Sequence, residues 1–160
     1  MTSLAKPDRT WEPDLRRALE LVLQLMPIPG RSGEEGEVSQ FVRRELLRAG
    51  AAASAIQTDS AHRHTPDGGQ TGNLIFTLPG TVRAPRRMLS AHLDTVPICV
   101  GSQPVRQGDV VRSANPDTGL GADDRAGVAV ILNAALEILR RGLPHPPLTF
   151  CWFVQEETGL

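Results

Sequence analysis

Three short clusters of carboxylate and imidazole side chains occur in this sequence, each at the boundary of an apolar segment. They are His92-Leu-Asp94, Asp123-Asp124 and Glu156-Glu157. Imidazole and carboxylate together suit zinc or a similar divalent ion, and one carboxylate with two oxygens can hold two ions a few ångströms apart. The residue types therefore predict one metal site built from these clusters, with Asp123 as the candidate bridging ligand.

Each cluster also has an ordinary structural interpretation when it is considered alone. Asp123-Asp124 lies at the start of an apolar helix, where the backbone dipole favours ionised carboxylates, and a pair of helix caps fits equally well. A His-x-Asp pair is common by chance and is typical of a structural histidine. Glu156-Glu157 fits a charged strand end. If these glutamates continued a strand they would point to opposite sides, one towards a metal and one as a general base.

The composition is that of a globular protein with enough chain for one core. The 160 residues are 40% hydrophobic and 22% charged, with a formal net charge of -1. This charge gives no field that attracts nucleic acid or an anionic membrane, so we expect neither partner. No segment reaches the roughly 18 apolar residues of a membrane-spanning helix, and residues 1–11 contain no apolar leader. We expect a cytoplasmic protein in which Cys99 and Cys151 are reduced, buried thiols.

Apolar periodicity predicts alternating helices and strands. The predicted helices are residues 13–26, 32–50 and 125–141, and the second opens with Ser32-Gly-Glu-Glu35, the Ser-x-x-Glu pattern of a capping box. The predicted strands are residues 53–58, 73–78, 88–91 and 148–154, with a small hairpin at 104–113. This alternation indicates an α/β domain whose sheet is at least partly parallel.

The carboxyl ends of the strands are expected to bring the clusters together, because ligands of α/β sheets bind beyond those ends. His92 and Glu156 each fall just past a predicted strand, and Asp123 lies at a predicted helix start. His62 and His64 form a second histidine pair, but they lie in a polar loop without a third ligand nearby. We interpret that pair as solvated and leave it out of the site.

In this order and at these boundaries, the clusters resemble the signature motifs of a known enzyme family. The motifs are His92-Leu-Asp94-Thr-Val-Pro97, Gly121-Ala-Asp-Asp-Arg-Ala-Gly127 and Glu156-Glu157-Thr-Gly159. They are similar to those of the M20-like dinuclear zinc peptidases and deacylases, which include peptidase T, the bacterial glutamate carboxypeptidases and the aminoacylases. The sequence around Asp123 looks most like the peptidase T subfamily, which removes the N-terminal residue from tripeptides.

The resemblance implies a role for each site residue. His92 would bind one zinc ion, Glu157 would bind the other, and Asp123 would bridge the two ions. Asp94 would support His92. Glu156 would act as the general base of peptide hydrolysis.

The resemblance also implies a cis peptide at Asp123-Asp124, and it reveals one departure from the family pattern. Arg125 stands where relatives usually carry lysine, a change that keeps the positive charge. The implied fold is a three-layer α/β/α zinc-peptidase-like catalytic domain with a mixed, partly parallel sheet, incomplete at its C-terminal end.

Residues 1–160 are expected to be the N-terminal portion of such a catalytic domain. The relatives' later carboxylate ligand, their histidine near the C-terminus and their lid domain have no counterpart in this sequence. The expected function of the full-length protein is hydrolysis of the N-terminal peptide bond of small peptides with two zinc ions, and the resemblance allows a homodimer. The alternatives are a carboxypeptidase, an N-acyl amino acid deacylase, or a truncated chain without catalytic activity.

Overall fold

Helices and strands alternate along residues 11–158, which are the residues that the computed structural model describes. The helices are α1 (Leu15–Leu25), α2 (Gly36–Arg48) and α3 (Ala122–Arg141). The strands are β1 (Ile56–Thr58), β2 (Leu74–Leu78), β3 (Arg87–His92), β4 (Pro104–Gln107), β5 (Val110–Ser113) and β6 (Leu148–Phe153). The expectations above for the first ten residues, for Gly159 and for the chain end lie outside the described residues.

The first and third helices begin and end where the sequence supplies caps. The carboxylate of Asp14 accepts a hydrogen bond from the backbone N–H of Arg17 at 2.9 Å, which caps α1. Regular helical geometry in α3 starts at Arg125, and α3 ends at Gly142, whose φ of 60° suits glycine. Both predicted helices are confirmed. Within the described range, no helix is both long and apolar enough to cross a membrane.

The start of α2 differs from the prediction. It begins at Gly36, and Glu35 before it caps no backbone N–H of the helix. Ser32 instead donates to Oδ2 of Asp94 at 2.7 Å, and Glu35 accepts from the backbone N–H of Gln155 at 3.0 Å. The capping-box prediction was wrong because tertiary hydrogen bonds use these polar groups, and local spacing does not reveal such bonds.

The main sheet has four strands in the order β1-β2-β6-β3. β2 pairs antiparallel with β1 and β6, whereas β3 and β6 are parallel, so the prediction of a mixed, partly parallel sheet is confirmed. β4 and β5 form a separate antiparallel ribbon, as predicted for the hairpin. In the parallel pair His92 lies opposite Phe153, so β3 and β6 end at the same edge of the sheet.

A single hydrophobic core joins the three helices to one face of the sheet. Phe76, Phe150 and Trp152 are fully buried on that face, within the same cluster as the buried residues of α1, α2 and α3. Alternate residues point to the opposite face, where Met88 is 63% and Phe153 is 37% exposed. The described residues thus contribute one helical layer and the sheet to the expected α/β/α architecture.

The aromatic row across β2 and β6 is the largest packing element of this core. Ring centroids are 5.8 Å apart between Phe76 and Phe150 and 6.1 Å apart between Phe150 and Trp152. We expect Phe150→Ala to lower the free energy of unfolding by about 3–5 kcal/mol, because it removes a fully buried ring and leaves a cavity. Urea denaturation followed by circular dichroism measures this loss. The exposed Thr77→Ala on β2 is the control, and a loss below about 1 kcal/mol for Phe150→Ala would contradict the packing described.

The two cysteines are free thiols. Cys151 is buried as predicted, whereas Cys99 is only half-buried. Burial raises the pKa of Cys151 to about 11 and also raises the pKa of Cys99. Both thiols are therefore protonated near neutral pH and poor nucleophiles.

Candidate metal centre

The three predicted clusters meet at the edge where β3 and β6 end. His92 is the last residue of β3, Asp123 lies in the first turn of α3, and Glu157 lies in a short 3₁₀ turn after β6. One ligand atom from each of these three residues lies within 4.8 Å of the others. Glu156 in the same turn places Oε2 3.7 Å from Nε2 of His92.

The orientation of the His92 ring leaves Nε2 facing the carboxylates. Nδ1 donates to the backbone carbonyl of Asp94 at 3.1 Å, since a carbonyl oxygen only accepts. Nε2 lies 3.1 Å from Oδ1 of Asp123. A proton fixed on Nδ1 leaves the Nε2 lone pair available to a metal ion.

The adjacent residues Asp123 and Asp124 make different contacts. Asp124 accepts hydrogen bonds from the backbone N–H groups of Gly127 at 3.1 Å and His92 at 3.2 Å, so it caps the regular part of α3 and joins it to β3. A side chain at Gly127 would collide with that carboxylate, which explains the glycine. Asp123 instead has an 85% exposed side chain beside the imidazole. The helix-cap interpretation therefore describes Asp124 only, and the peptide between the two aspartates is cis, as the resemblance implies.

The turn after β6 does not continue the strand, contrary to the geometry considered above. Residues Glu156–Thr158 form a 3₁₀ turn held by Asp94, which is fully buried. Its Oδ1 accepts from the backbone N–H of Glu156 and its Oδ2 from that of Glu157, both at 3.0 Å. The Asp94 carboxylate, which was expected to support His92, places Oδ1 3.4 Å from Nδ1 of the ring. Its hydrogen bonds come from Ser32 and from the turn, and the ring nitrogen donates to the Asp94 carbonyl.

The charges at this edge fit a divalent cation. Burial and the neighbouring carboxylates of Asp123 and Asp94 raise the pKa of Glu157. Burial lowers the pKa of His92, but nearby carboxylates, chiefly Asp94 and Asp124, outweigh it and the net shift is upward. Crowded carboxylates around an imidazole are stabilised when a bound cation supplies positive charge. The donor set thus suits a metal ion on its chemistry as well as on its distances.

Comparison with known proteins decides the family, because residues 73–160, more than half of the chain, match peptidase family M28. The chain belongs to peptidase family M28. It is 32% identical over 145 residues to the uncharacterized protein YqjE of Bacillus subtilis, an alignment that covers 91% of this chain and 38% of that relative.

Two solved structures share the fold of this M28 chain. A tripeptidase from Staphylococcus aureus has a TM-score of 0.80 and 30% identity, and the aminopeptidase PepT from Bacillus cereus has a TM-score of 0.81 and 27% identity. Each alignment covers 92% of this chain and 38% of the other. The chain therefore spans about two fifths of the length of these relatives.

A cleft of about 400 Å³ opens beside the candidate metal centre of this M28 chain. Its walls come from the loop before α2, the loop before β2, the segment after β3 and the turn after β6, with Arg31, Asp67, Pro97 and Glu157 among the lining residues. The volume is that of a small-ligand site. His62 and His64 do not join the ligand cluster.

The structural roles of two residues near the candidate metal centre, Arg125 and Glu35, were not predicted from the sequence. Arg125, noted only as a substitution for lysine, is fully buried and donates from Nη2 to the carbonyl of Ile28 at 3.2 Å. Burial lowers its pKa to about 10, an effect opposed by Asp94 and Glu35. Glu35 is also fully buried. The charged start of α3 gave no sign that Arg125 is buried, and the Ser-x-x-Glu spacing predicted a capping role for Glu35.

Proposed function

We propose that this chain forms part of the catalytic domain of a zinc-dependent aminopeptidase that acts on small peptides, tripeptides in particular. The observation that carries the proposal is the convergence of His92, Asp123 and Glu157 within 4.8 Å at one sheet edge. Its support from outside the chain is the likeness to a tripeptidase and to the aminopeptidase PepT. The proposal includes the assignment of the motifs to the M20-like peptidases, and to peptidase T in particular.

The ligand roles follow the resemblance and fit the positions of the side chains. His92 would hold one zinc ion through Nε2, Glu157 the second, and the exposed carboxylate of Asp123 both. When bound, zinc supplies a Lewis acid that polarises the scissile carbonyl. Asp94 keeps Glu157 in place through its backbone N–H.

Glu156 is proposed as the general base. Its side chain is 57% exposed and its carboxylate faces the same space as Nε2 of His92. An ionised carboxylate there takes a proton from the attacking water and returns it to the leaving amine. Asp94 accepts the backbone N–H groups of Glu156 and of Glu157, so one carboxylate holds the backbone of both the base and the neighbouring ligand.

The proposal concerns the whole protein, because the chain spans 38% of the relatives' length. Residues 1–160 would form the N-terminal portion of the catalytic domain, with the remaining ligands and the lid domain supplied by chain beyond it. The cytoplasmic location and the homodimer of the full-length form stay predictions, as do the carboxypeptidase, deacylase and inactive-chain alternatives.

Glu156→Gln in the full-length protein is expected to keep zinc and lose hydrolysis of tripeptides by about 100-fold or more, because the amide cannot take a proton. Zinc content by atomic absorption and release of the first residue by chromatography measure the two effects. The control is Glu12→Gln, which changes an exposed glutamate distant in sequence from the site. Wild-type turnover in Glu156→Gln would show that the base is another group.

The substrate panel separates the alternatives. A free tripeptide, an N-acetylated tripeptide and a C-terminally amidated tripeptide are offered to the full-length protein. An aminopeptidase cleaves the free and amidated peptides, a carboxypeptidase requires the free carboxylate, and a deacylase releases acetate. The same panel offered to the 160-residue chain tests the remaining alternative, because cleavage of none of the peptides there would favour a truncated chain without catalytic activity.

A further inference from the structure

Three successive backbone N–H groups at the exit of β6 are held by two buried carboxylates. Asp94 accepts from Glu156 and Glu157, as described above, and Glu35 accepts from Gln155 through Oε1 at 3.0 Å. Glu35 and Asp94 are both fully buried. Hydrogen bonds to a charged acceptor are about twice as strong as neutral ones, so these amides are firmly fixed.

Gln155 is the residue at which the chain turns from the strand into the site. Its φ of 60° places it in the left-handed region, which costs a residue other than glycine about 1 kcal/mol or more. Its side chain donates to the carbonyl of Gly68 at 2.8 Å, and its backbone N–H donates to Glu35. This conformation persists because surrounding hydrogen bonds compensate its strain.

Glu35 lies outside the ligand cluster but is bound to the turn that carries it. Besides Gln155, Oε1 accepts from the backbone N–H of Gly33 at 2.8 Å. Burial raises the pKa of Glu35, and the backbone hydrogen bonds from Gly33 and Gln155 oppose that rise. Charge from the buried Arg125 acts on the same region. Burying a carboxylate costs free energy unless hydrogen bonds compensate it. The bonds that Glu35 accepts from Gly33 and Gln155 supply that compensation.

We propose that Glu35 is a positioning residue for the metal centre: by accepting the Gln155 amide it holds the left-handed turn that aims Glu156 and Glu157 at His92. The inference rests on the proposed function for its catalytic meaning. The bond between Glu35 and the turn can be tested without it. Loss of this acceptor releases Gln155 and lets the strained residue relax, which moves both glutamates away from the imidazole.

The first test is amide hydrogen exchange by NMR on the full-length protein without metal. The quantity measured is the ratio of two exchange rates, that of the turn amides (Gln155, Glu156 and Glu157) and that of the β6 core residue Phe150. In Glu35→Ala this ratio is expected to rise about tenfold or more, which is the equivalent of one lost hydrogen bond. Glu35→Gln retains an acceptor oxygen at Oε1, so its exchange ratio is expected to stay within about threefold of the wild-type ratio.

The matched control is Leu46→Ala, which truncates a fully buried side chain within α2, the helix that Glu35 precedes, and destabilises the whole domain. It is expected to leave the ratio of turn to Phe150 exchange unchanged, since it weakens both together. If Glu35→Ala does not fold, Glu35→Asp replaces it, because one methylene less withdraws the oxygen from Gln155 and keeps the carboxylate. An unchanged ratio in the folded variant would overturn the proposal.

The second test is titration of the full-length protein with Co²⁺ alone, followed by visible absorption of the bound ion. Glu35→Ala is expected to weaken Co²⁺ binding about tenfold or more and to alter the spectrum, as for other residues that orient metal ligands, whereas Glu35→Gln and Leu46→Ala keep the wild-type spectrum. Equal Co²⁺ affinity in Glu35→Ala and wild type would overturn the positioning role. If wild type binds no Co²⁺, the metal proposal fails, and the exchange ratio alone decides whether Glu35 holds the turn.

Discussion

Replacing His92 by alanine is expected to lower zinc affinity by about 100-fold or more, since loss of a residue that only orients a ligand already costs 10–100-fold. His92 contributes the single nitrogen of the cluster, and its Nε2 lies within 3.7 Å of both Asp123 and Glu156 oxygens. Removing the imidazole leaves only carboxylates, which repel one another and bind zinc weakly without a nitrogen ligand.

Isothermal titration calorimetry with Zn²⁺ measures this loss, and His64→Ala supplies the control. His64 is an exposed loop histidine outside the cluster, so its replacement should leave the affinity unchanged. Equal weakening by both substitutions would mean that zinc binds nonspecifically. A wild-type affinity in His92→Ala would remove His92 from the site.

Metal affinity should also depend on pH in a defined direction. The carboxylates around His92 outweigh its burial and raise its pKa, so the proton is held more tightly than on an ordinary histidine. A proton on Nε2 excludes a metal ion, and zinc affinity in the wild type therefore falls as the pH falls through that raised pKa. The part of the pH dependence that comes from His92 should be absent in His92→Ala. The part that comes from protonation of the carboxylates should remain.

Asp94→Ala is expected to lower the free energy of unfolding by about 3 kcal/mol or more. The substitution removes the acceptor of three hydrogen bonds, from Ser32 Oγ and from the backbone N–H groups of Glu156 and Glu157, at a position with no exposure. Each buried donor left without a partner costs about 1–3 kcal/mol, and the buried charge of Arg125 loses a compensating carboxylate.

Urea denaturation of the metal-free chain tests this expectation, with Asp109→Ala as the control. Asp109 is fully exposed between β4 and β5, so its loss should change the free energy of unfolding by no more than about 0.5 kcal/mol. A loss below about 1 kcal/mol for Asp94→Ala would mean that solvent or other acceptors satisfy the turn, and the account of Asp94 as its anchor would be wrong.

Much of the fold followed from apolar periodicity, because burial of one helix face or of a whole strand leaves a local pattern. The α3 helix and the apolar run of β6 are examples, and the parallel pairing followed from their alternation. The site clusters were found because they fall at element ends. What could not be predicted depends on partners far apart in sequence: Asp94 binds residues 62 and 63 positions away, and Glu35 binds one 120 positions away.

The Ser32 to Glu35 segment illustrates the limit. Its spacing matches a capping box, yet both polar side chains bind distant backbone or side-chain groups, and the local pattern is identical in the two cases. The same holds for Glu156 and Glu157, whose turn depends on the left-handed Gln155, a conformation that glutamine does not signal in a sequence.

The position of β6 bears on how the chain is synthesised. It is the last strand of the described residues, yet it lies between β2 and β3 and contributes the middle of the sheet. Before residue 148 emerges from the ribosome, β2 and β3 have no strand between them. The hydrophobic faces of α1 and α3 then lack two of the core residues that they share in the folded protein, Phe150 and Trp152. Nascent chains of this protein should therefore stay accessible to chaperones at least until β6 emerges and joins β2 to β3.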